Sequence, residues 1–191
     1  MNAYDHDYFE ALYRREADPW QFETSAYEQA KYAATLACLP RAHYRHGLEL
    51  GCSIGVLSEK LASRVSALTA IDTSSDALDR ARQRLCRQAH VELLHAHLPA
   101  GGWNRNRYDL IVASEVLYYF TTPVLQRLAR KLCDCALPGA DIVAVHWLGP
   151  TDYPLTAQAA VDRLERAFGG LRPMSRQRTD CYRLDVWRKS T

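Results

Sequence analysis

Five short runs of strand character, residues 48–50, 67–71, 91–94, 108–113 and 141–146, are mostly separated by stretches with apolar residues at helical spacing. This alternation leaves a chain few options, because parallel strands need a crossover, usually helical, and the resulting sheet is covered on both faces. The intervening helices are expected over residues 56–64, 75–87, 123–135 and 156–168; the last three open with Ser, Pro or Thr, which suit helix entry. The link from residue 94 to 108 shows no clear helix and is the exception to the pattern. Two helices, residues 3–15 and 24–39, precede the first strand, and Pro40 ends the second. After Phe168, the Gly169-Gly170 break leads into two strand-like stretches, residues 171–179 and 182–188, whose spacing fits a hairpin. The expected class is α/β.

A chain of 191 residues fits one domain. Residues 41–191 form that domain, and residues 1–40 are expected to lie over it as a helical lid. Two short helices are too small to bury a core alone, yet they carry Tyr4, Tyr8, Phe9, Tyr13, Trp20, Phe22, Tyr27 and Tyr32, which need a surface to cover. A hydrophobic fraction of 48% with 24% charged residues excludes disordered and fibrous classes. Lys+Arg minus Asp+Glu is 24 − 22 = +2, too balanced for an affinity built on neutralising phosphates, so no nucleic-acid partner is expected. The first thirty residues carry acids throughout and no apolar run of signal-peptide or membrane-spanning length, so the expected location is the cytoplasm, with no membrane partner. The six cysteines show neither CxxC nor a paired Cys/His zinc spacing; they read as reduced structural thiols, and no metal site is expected.

The segment Glu49-Leu50-Gly51-Cys52-Ser53-Ile54-Gly55 leaves the first strand and enters a helix. At such a turn exposed backbone N–H groups and close ligand approach require small residues. Asp72 closes the second apolar run 21 residues beyond Gly51 (72 − 51), the spacing at which an acid meets a ribose hydroxyl in nucleotide-binding folds. A dinucleotide fingerprint, GxGxxG, needs Gly at 53 and Gly or Ala at 56. Ser53 and Val56 stand there, which disfavours a pyrophosphate cradle and favours a cofactor without phosphates.

On these residues the sequence resembles the class I S-adenosylmethionine (SAM)-dependent methyltransferases: Glu49, Gly51, Gly55 and Asp72 match that family's cofactor motif, and residues 108–117 match its fourth-strand segment. The resemblance implies a Rossmann-like seven-stranded, mostly parallel sheet with a C-terminal antiparallel hairpin. More narrowly, Asp18-Pro19-Trp20-Gln21-Phe22-Glu23-Thr24-Ser25 with Tyr27-Glu28-Gln29-Ala30-Lys31-Tyr32 is similar to the opening of the rhizobial nodulation protein S group, N-methyltransferases acting on an amino sugar of Nod factors. The implied activity is SAM-dependent methylation of a small molecule, with an amine of a sugar or sugar-like metabolite favoured. A hydroxyl or carboxyl acceptor, and a SAM-binding regulatory protein without catalysis, are the alternatives. Implied cofactor contacts are Trp20, Tyr27, Lys31, Glu49, Gly51, Cys52, Ser53, Gly55, Asp72, Thr73, His97, Leu98 and Ser114. Two positions depart from the family pattern: Ser53 stands where glycine is frequent and resists positive φ, and His97 stands where an acid is frequent.

Methyl transfer from a sulfonium is an in-line displacement, so alignment and a water-poor site matter more than a strong acid. An amine acceptor must be neutral when it attacks, which calls for a group able to take its proton. His146 ends the fifth strand, where ligands bind in open α/β sheets, and is the expected base; a histidine that only hydrogen-bonds a loop is the alternative. Glu115, Tyr118 and Tyr119 follow the fourth strand and are expected to line the cleft, although the aromatic run also suits a packed helix start and Glu115 a backbone amide. Tyr27 and Lys31 share one helix face at i, i+4 and are expected to cap the cofactor with Trp20; core aromatics and a solvated lysine are the alternative. Arg80, Arg82, Arg84 and Arg87 read as a solvated face rather than an RNA groove, there being no interleaved aromatics. The sequence leaves the oligomeric state open.

Overall fold

The structure, a computed structural model, describes residues 5–103 and 107–190. Two of the residues expected at the start of the first helix, Ala3 and Tyr4, lie outside the described residues, as do residues 104–106 of the third crossover. Helices α1 (His6–Arg15) and α2 (Ala26–Ala37) lead into β1 (Tyr44–Leu50), α3 (Val56–Ala62), β2 (Val65–Asp72), α4 (Ser75–Arg84) and β3 (Val91–His95). There follow β4 (Tyr108–Ser114), a 3-10 turn (Leu117–Tyr119), α5 (Thr122–Cys135), β5 (Ala136–Trp147), α6 (Ala157–Phe168), β6 (Leu171–Arg178) and β7 (Tyr182–Lys189). No α-helix occurs among the described residues between β3 and β4.

The sheet order is β3-β2-β1-β4-β5-β7-β6. β1 to β5 are parallel, and β7 runs antiparallel to both β5 and β6, so the mostly parallel sheet ends in the expected hairpin. Alternating side chains divide the core. Leu48, Leu50, Ile111, Ala113, Ile142 and Ala144 face Leu125, Leu128 and Leu132 of α5 and Leu164 and Phe168 of α6. Leu68, Ala70, Leu110, Val112, Val143 and Val145 face Tyr32 of α2, Leu57 and Leu61 of α3 and Leu78 of α4. Both faces are therefore covered, as strands without polar alternation require. The outer strand β6 is largely exposed and rich in arginine, a composition that discourages pairing with other chains. No helix among the described residues is long and apolar enough to cross a membrane. All six cysteines are free.

Three strands begin earlier than expected, β2 by two residues (67 − 65) and β1 and β5 by more. β1 includes Arg45 and His46, whose amides leave the ladder to donate to the two Asp109 carboxylate oxygens at 2.9 Å each. β5 starts at Ala136, because a register shift between Tyr108 and Leu110 absorbs Pro138 and Gly139 inside the strand. Such a bulge admits the breakers that otherwise read as a turn.

The sheet is also tied by charge. Asp141, fully buried, accepts from Arg188 Nε at 2.7 Å, from the second Arg188 nitrogen at 3.0 Å and from the Tyr44 hydroxyl at 2.9 Å. Truncating Asp141 strands both donors. Urea unfolding of Asp141→Ala is expected to show a loss of about 3 kcal/mol, the cost of breaking a buried pair from one side. Arg172→Ala, on the exposed strand, should stay within about 0.5 kcal/mol of the parent, and equal losses for the two variants would remove the distinction.

Candidate functional site

In this strand order β1 has β2 on one side and β4 on the other, and the chain departs from the carboxyl ends of β1 and β4 in opposite directions. That switch point is where open α/β sheets bind ligands. A cavity of about 700 Å³ opens there, within the range of small-molecule sites.

Its floor is the loop after β1. Gly51 and Cys52 both donate to the Ile71 carbonyl at 2.8 Å, which turns the chain over the end of β2. Gly51 has φ +72°, and a Cβ there would lie 3.1 Å from Val116; Gly55, at φ +80°, would meet Ala81 at 3.1 Å. Ser53 adopts positive φ as well, 52°, despite its Cβ. Two contacts hold it there: its amide donates to Asp72 Oδ2 at 2.7 Å, and its hydroxyl hydrogen-bonds Tyr13. The other Asp72 oxygen accepts from the Ser74 amide at 2.9 Å. Burial pushes the Asp72 carboxyl above its ordinary value, and those amides oppose the shift.

Gly51, Ser53, Asp72, Thr73, His97, Leu98 and Ser114 all reach the cavity wall. Trp20, Tyr27 and Lys31 reach it from the N-terminal segment. Cys52 and Gly55 do not, since they shape the turn from behind. Glu49 is also set back: it is 2% exposed and accepts from Ser58 Oγ at 2.6 Å. Burial pushes its carboxyl up to about 8, partly opposed by Ser58 and reinforced by Asp72.

Opposite the glycine loop, Glu115 leaves β4 at φ 55° and is held by four groups. Its amide donates to the Val145 carbonyl at 2.8 Å; Oε2 accepts from the Tyr118 hydroxyl at 2.6 Å and the Trp147 amide at 2.9 Å, and Oε1 from Lys31 Nζ at 2.5 Å. Lys31 also donates to Glu28 Oε1 at 2.9 Å and sits 5.0 Å from the centroid of the Tyr27 ring. Lys31 is thus a buried ion-pair centre, 2% exposed, rather than a solvated lysine. Burial alone would raise the Glu115 carboxyl, but the Lys31 ammonium draws it below the ordinary value. Burial raises Glu28, against the opposing pull of the same ammonium. Two carboxylates around one ammonium leave the pocket one negative charge in excess when both are ionised.

The expected base does not face this space. His146 is fully buried, absent from the cavity wall, and its Nε2 accepts from the Leu117 amide at 3.0 Å. Burial holds its imidazole down at about 4. The strand end is right, but the side chain points under the cavity floor, where it secures the 3-10 turn. That turn brings Tyr118 and Tyr119 into the wall beside Tyr153, whose ring stacks on Tyr118 at 4.9 Å. Burial raises both tyrosine hydroxyls well above their ordinary value, so they stay protonated.

Phe9, Tyr13, Phe22, Glu28 and Tyr153 also line the cavity; Phe22 and Glu28 fall within the N-terminal motif without being marked there as contacts, and Phe9, Tyr13 and Tyr153 belong to no motif. The only signal for Phe9 and Tyr13 is the excess of aromatics in the N-terminal segment. Glu28, on a helix face beside Lys31, has the pattern of an ordinary surface pair.

Fold and site place the chain in a class: a Rossmann-like α/β protein with the methyltransferase strand order. Residues 5–150 match the model of the nodulation protein S (NodS) family, and the chain belongs to that family. Nodulation protein S of Rhizobium tropici is 33% identical over 142 residues, 72% of this chain and 59% of the relative. The chain covers between 59% and 61% of the length of this and two further rhizobial relatives of that name. Among solved structures, a candidate methyltransferase from Pseudomonas syringae is 36% identical, with a TM-score of 0.76 over 86% of this chain and all, 100%, of the other. The N-methyltransferase NodS from Bradyrhizobium japonicum, in complex with S-adenosyl-L-homocysteine (SAH), superposes with a TM-score of 0.80 at 24% identity, over 95% of this chain and 98% of the other.

The Glu49 environment sets a pH dependence. A carboxyl whose value rises from 4.5 to about 8 on folding keeps a proton that the unfolded chain releases, so stability falls as pH rises between those values. Glu49→Gln keeps an acceptor for Ser58 and removes the titration. Unfolding free energies measured from pH 5 to 8 are expected to slope less in the variant, by up to about 1.4 kcal/mol per pH unit; parallel curves would mean that Glu49 is ionised when folded.

Proposed function

We propose that the chain is a SAM-dependent methyltransferase acting on a small molecule, with an amine of a sugar or sugar-like metabolite as acceptor. The observation that carries this reading is the loop from Gly51 to Gly55 folded onto Asp72, opening into a cavity whose far wall is acidic and aromatic. The same loop lacks the glycine pattern for a pyrophosphate, and the SAH held by the Bradyrhizobium japonicum structure supports a nucleoside without phosphates. The residues present fit that group: Asp72 offers carboxylate lone pairs beyond its two amide bonds, and the buried Tyr27 hydroxyl lines the cavity without a protein partner.

SAM, when bound, supplies a methyl group on a sulfonium that leaves without a proton or a metal. Asp72 would hold its ribose, the close backbone approach at Gly51 would admit its amino-acid portion, His97 and Leu98 would flank its base, and Trp20 and Tyr27 would close over it. Residues 1–40 serve as the lid of the domain at residues 41–191, which excludes water from the transfer. Tyr118, Tyr119 and Tyr153 present ring faces and hydroxyls that align a polar acceptor. The excess negative charge at Glu28 and Glu115 attracts an ammonium and opposes a carboxylate acceptor, which favours an amine over a carboxyl group. Glu28, raised by burial and facing the cavity, takes the amine proton in place of His146.

Calorimetry is expected to show binding of SAM or SAH and none of NAD, and Asp72→Ala should weaken it by about 1–3 kcal/mol, the range for a hydrogen bond to a charged group. Binding of NAD in the absence of any SAM response would overturn the cofactor. Mass spectrometry with amino sugars, amines, phenols and acids should reveal a gain of one methyl on an amine. On that acceptor Glu28→Gln should lower the rate about 10²–10⁴-fold with SAH affinity retained, whereas a folded His146→Gln variant should stay within about tenfold of the parent. The reverse ranking would restore His146 as the base.

A further inference from the structure

No ligand spacing in the sequence marks a metal site, yet the fold gathers three histidines at one rim of the cavity. His95 ends β3, His97 lies two residues on, and His6 arrives on α1 from 89 residues upstream (95 − 6). One ring nitrogen of each lies within 4.8 Å of those of the other two. The ring centroids of His6 and His97 are 4.5 Å apart, those of His95 and His97 5.5 Å and those of His6 and His95 5.8 Å. We propose that His6, His95 and His97 bind a divalent transition metal of the zinc class, which staples α1 to the carboxyl end of β3.

One residue orients all three rings. The Thr73 carbonyl faces His6 Nδ1 at 2.7 Å and His95 Nε2 at 2.8 Å, and the Thr73 hydroxyl faces His97 Nδ1 at 2.6 Å. A carbonyl oxygen only accepts, so the nitrogens of His6 and His95 that face it carry hydrogens. In a neutral imidazole the remaining nitrogen then holds the lone pair a metal needs. A backbone carbonyl holding the second N–H is the usual support of a histidine ligand. Three imidazoles suit zinc, copper or nickel, and a tetrahedral ion with bonds of about 2.0–2.1 Å spaces its nitrogens about 3.4 Å apart, so closure takes side-chain rotation. His95 and His97 are exposed and His6 is half-buried, which leaves the rings room to turn.

The staple has a direct structural consequence. α1 docks beside Asp72 through Glu10, which accepts from Ser74 Oγ at 2.7 Å and the Ser75 amide at 2.9 Å, and through Phe9, packed edge-on to Tyr119 at 5.0 Å. A metal on His6 adds a second tie beside its hydrogen bond to the Thr73 carbonyl at the start of α1, and so fixes the cover of the cavity. That the cover controls cofactor exchange rests on the function proposed above; metal binding does not, and the experiment measures it without nucleoside.

The chelator-treated chain would be titrated with Zn²⁺ by calorimetry and with Co²⁺ by visible absorption, and hydrogen exchange followed with and without Zn²⁺. The expected result is one metal per chain, a cobalt spectrum without a thiolate charge-transfer band, and slower exchange across His6–Arg15. His95→Ala and His97→Ala, exposed positions where the fold tolerates change, should each weaken binding more than about tenfold and abolish the protection of α1. No metal binding, a cobalt–thiolate band, or affinity and exchange unchanged in the two variants would each overturn the site.

Discussion

Taking a carboxylate out of water costs free energy unless its lone pairs are met, and at the end of β2 Asp72 meets that requirement with the amides of Ser53 and Ser74. Those two contacts set the path of the loop after β1 and the start of α4 together. The first makes positive φ tolerable at Ser53; the second places Ser74 so that its hydroxyl accepts from the Ala77 amide, capping the helix, and donates to Glu10 of α1. Although burial alone would raise Glu10, the Ser75 and Ser74 hydrogen bonds hold its carboxyl at about 2. One strand end thus organises the loop, the following helix and the segment that covers them.

A second buried charge performs the same service on the far wall. Lys31 on α2 reaches Glu115 at the end of β4, and Glu115 in turn takes the amide of Trp147 at the end of β5. Replacing such a cluster by apolar side chains of equal volume often costs no stability, so its persistence is better explained by placement than by strength. It fixes where α2 meets the sheet and holds Glu115 in a left-handed conformation that a glutamate otherwise avoids. His146 belongs to this scaffold as well. By accepting from Leu117 it holds the turn that aims Tyr118 and Tyr119.

The order and type of the strands and helices were legible because the strands are short apolar runs, the helices carry apolar residues at a period of 3.6, and several of the breaks carry Gly or Pro. The early parts of β1 and β5 were hidden for the converse reason. Arg45 and His46 interrupt the apolar run, their amides being met by the Asp109 side chain on β4 rather than by a strand carbonyl, and Pro138-Gly139 sits inside a bulge. In the site, positions adjacent to a strand end were legible from the loop motif, but which side a chain-end residue faces was not. Periodicity places His146 at the right end of β5; only the geometry of the following turn sends its ring below the floor. The arginines of α4 illustrate the same limit. Arg80 donates to the Tyr13 carbonyl at 3.0 Å and Arg84 to that of Ile54 at 3.0 Å and to Glu23, so part of a face that reads as solvated anchors the N-terminal segment.

Charge at the far wall also limits what the proposed amine reading can explain. An amine and its methylated product both accept a proton, so the excess charge at Glu28 and Glu115 draws substrate and product alike and gives affinity without discrimination. Discrimination must then come from volume. On that reading the added methyl would have to fit between Glu115 and the rings of Tyr118, Tyr119 and Tyr153, a wall held rigid by the Tyr118–Glu115 hydrogen bond and the stacked pair. A close-packed aromatic wall resists even one extra methylene, whereas a charge does not sense it. On the proposed reading, the acidic pair therefore selects the class of acceptor that enters, and the tyrosines limit how many methyl groups it can carry when it leaves.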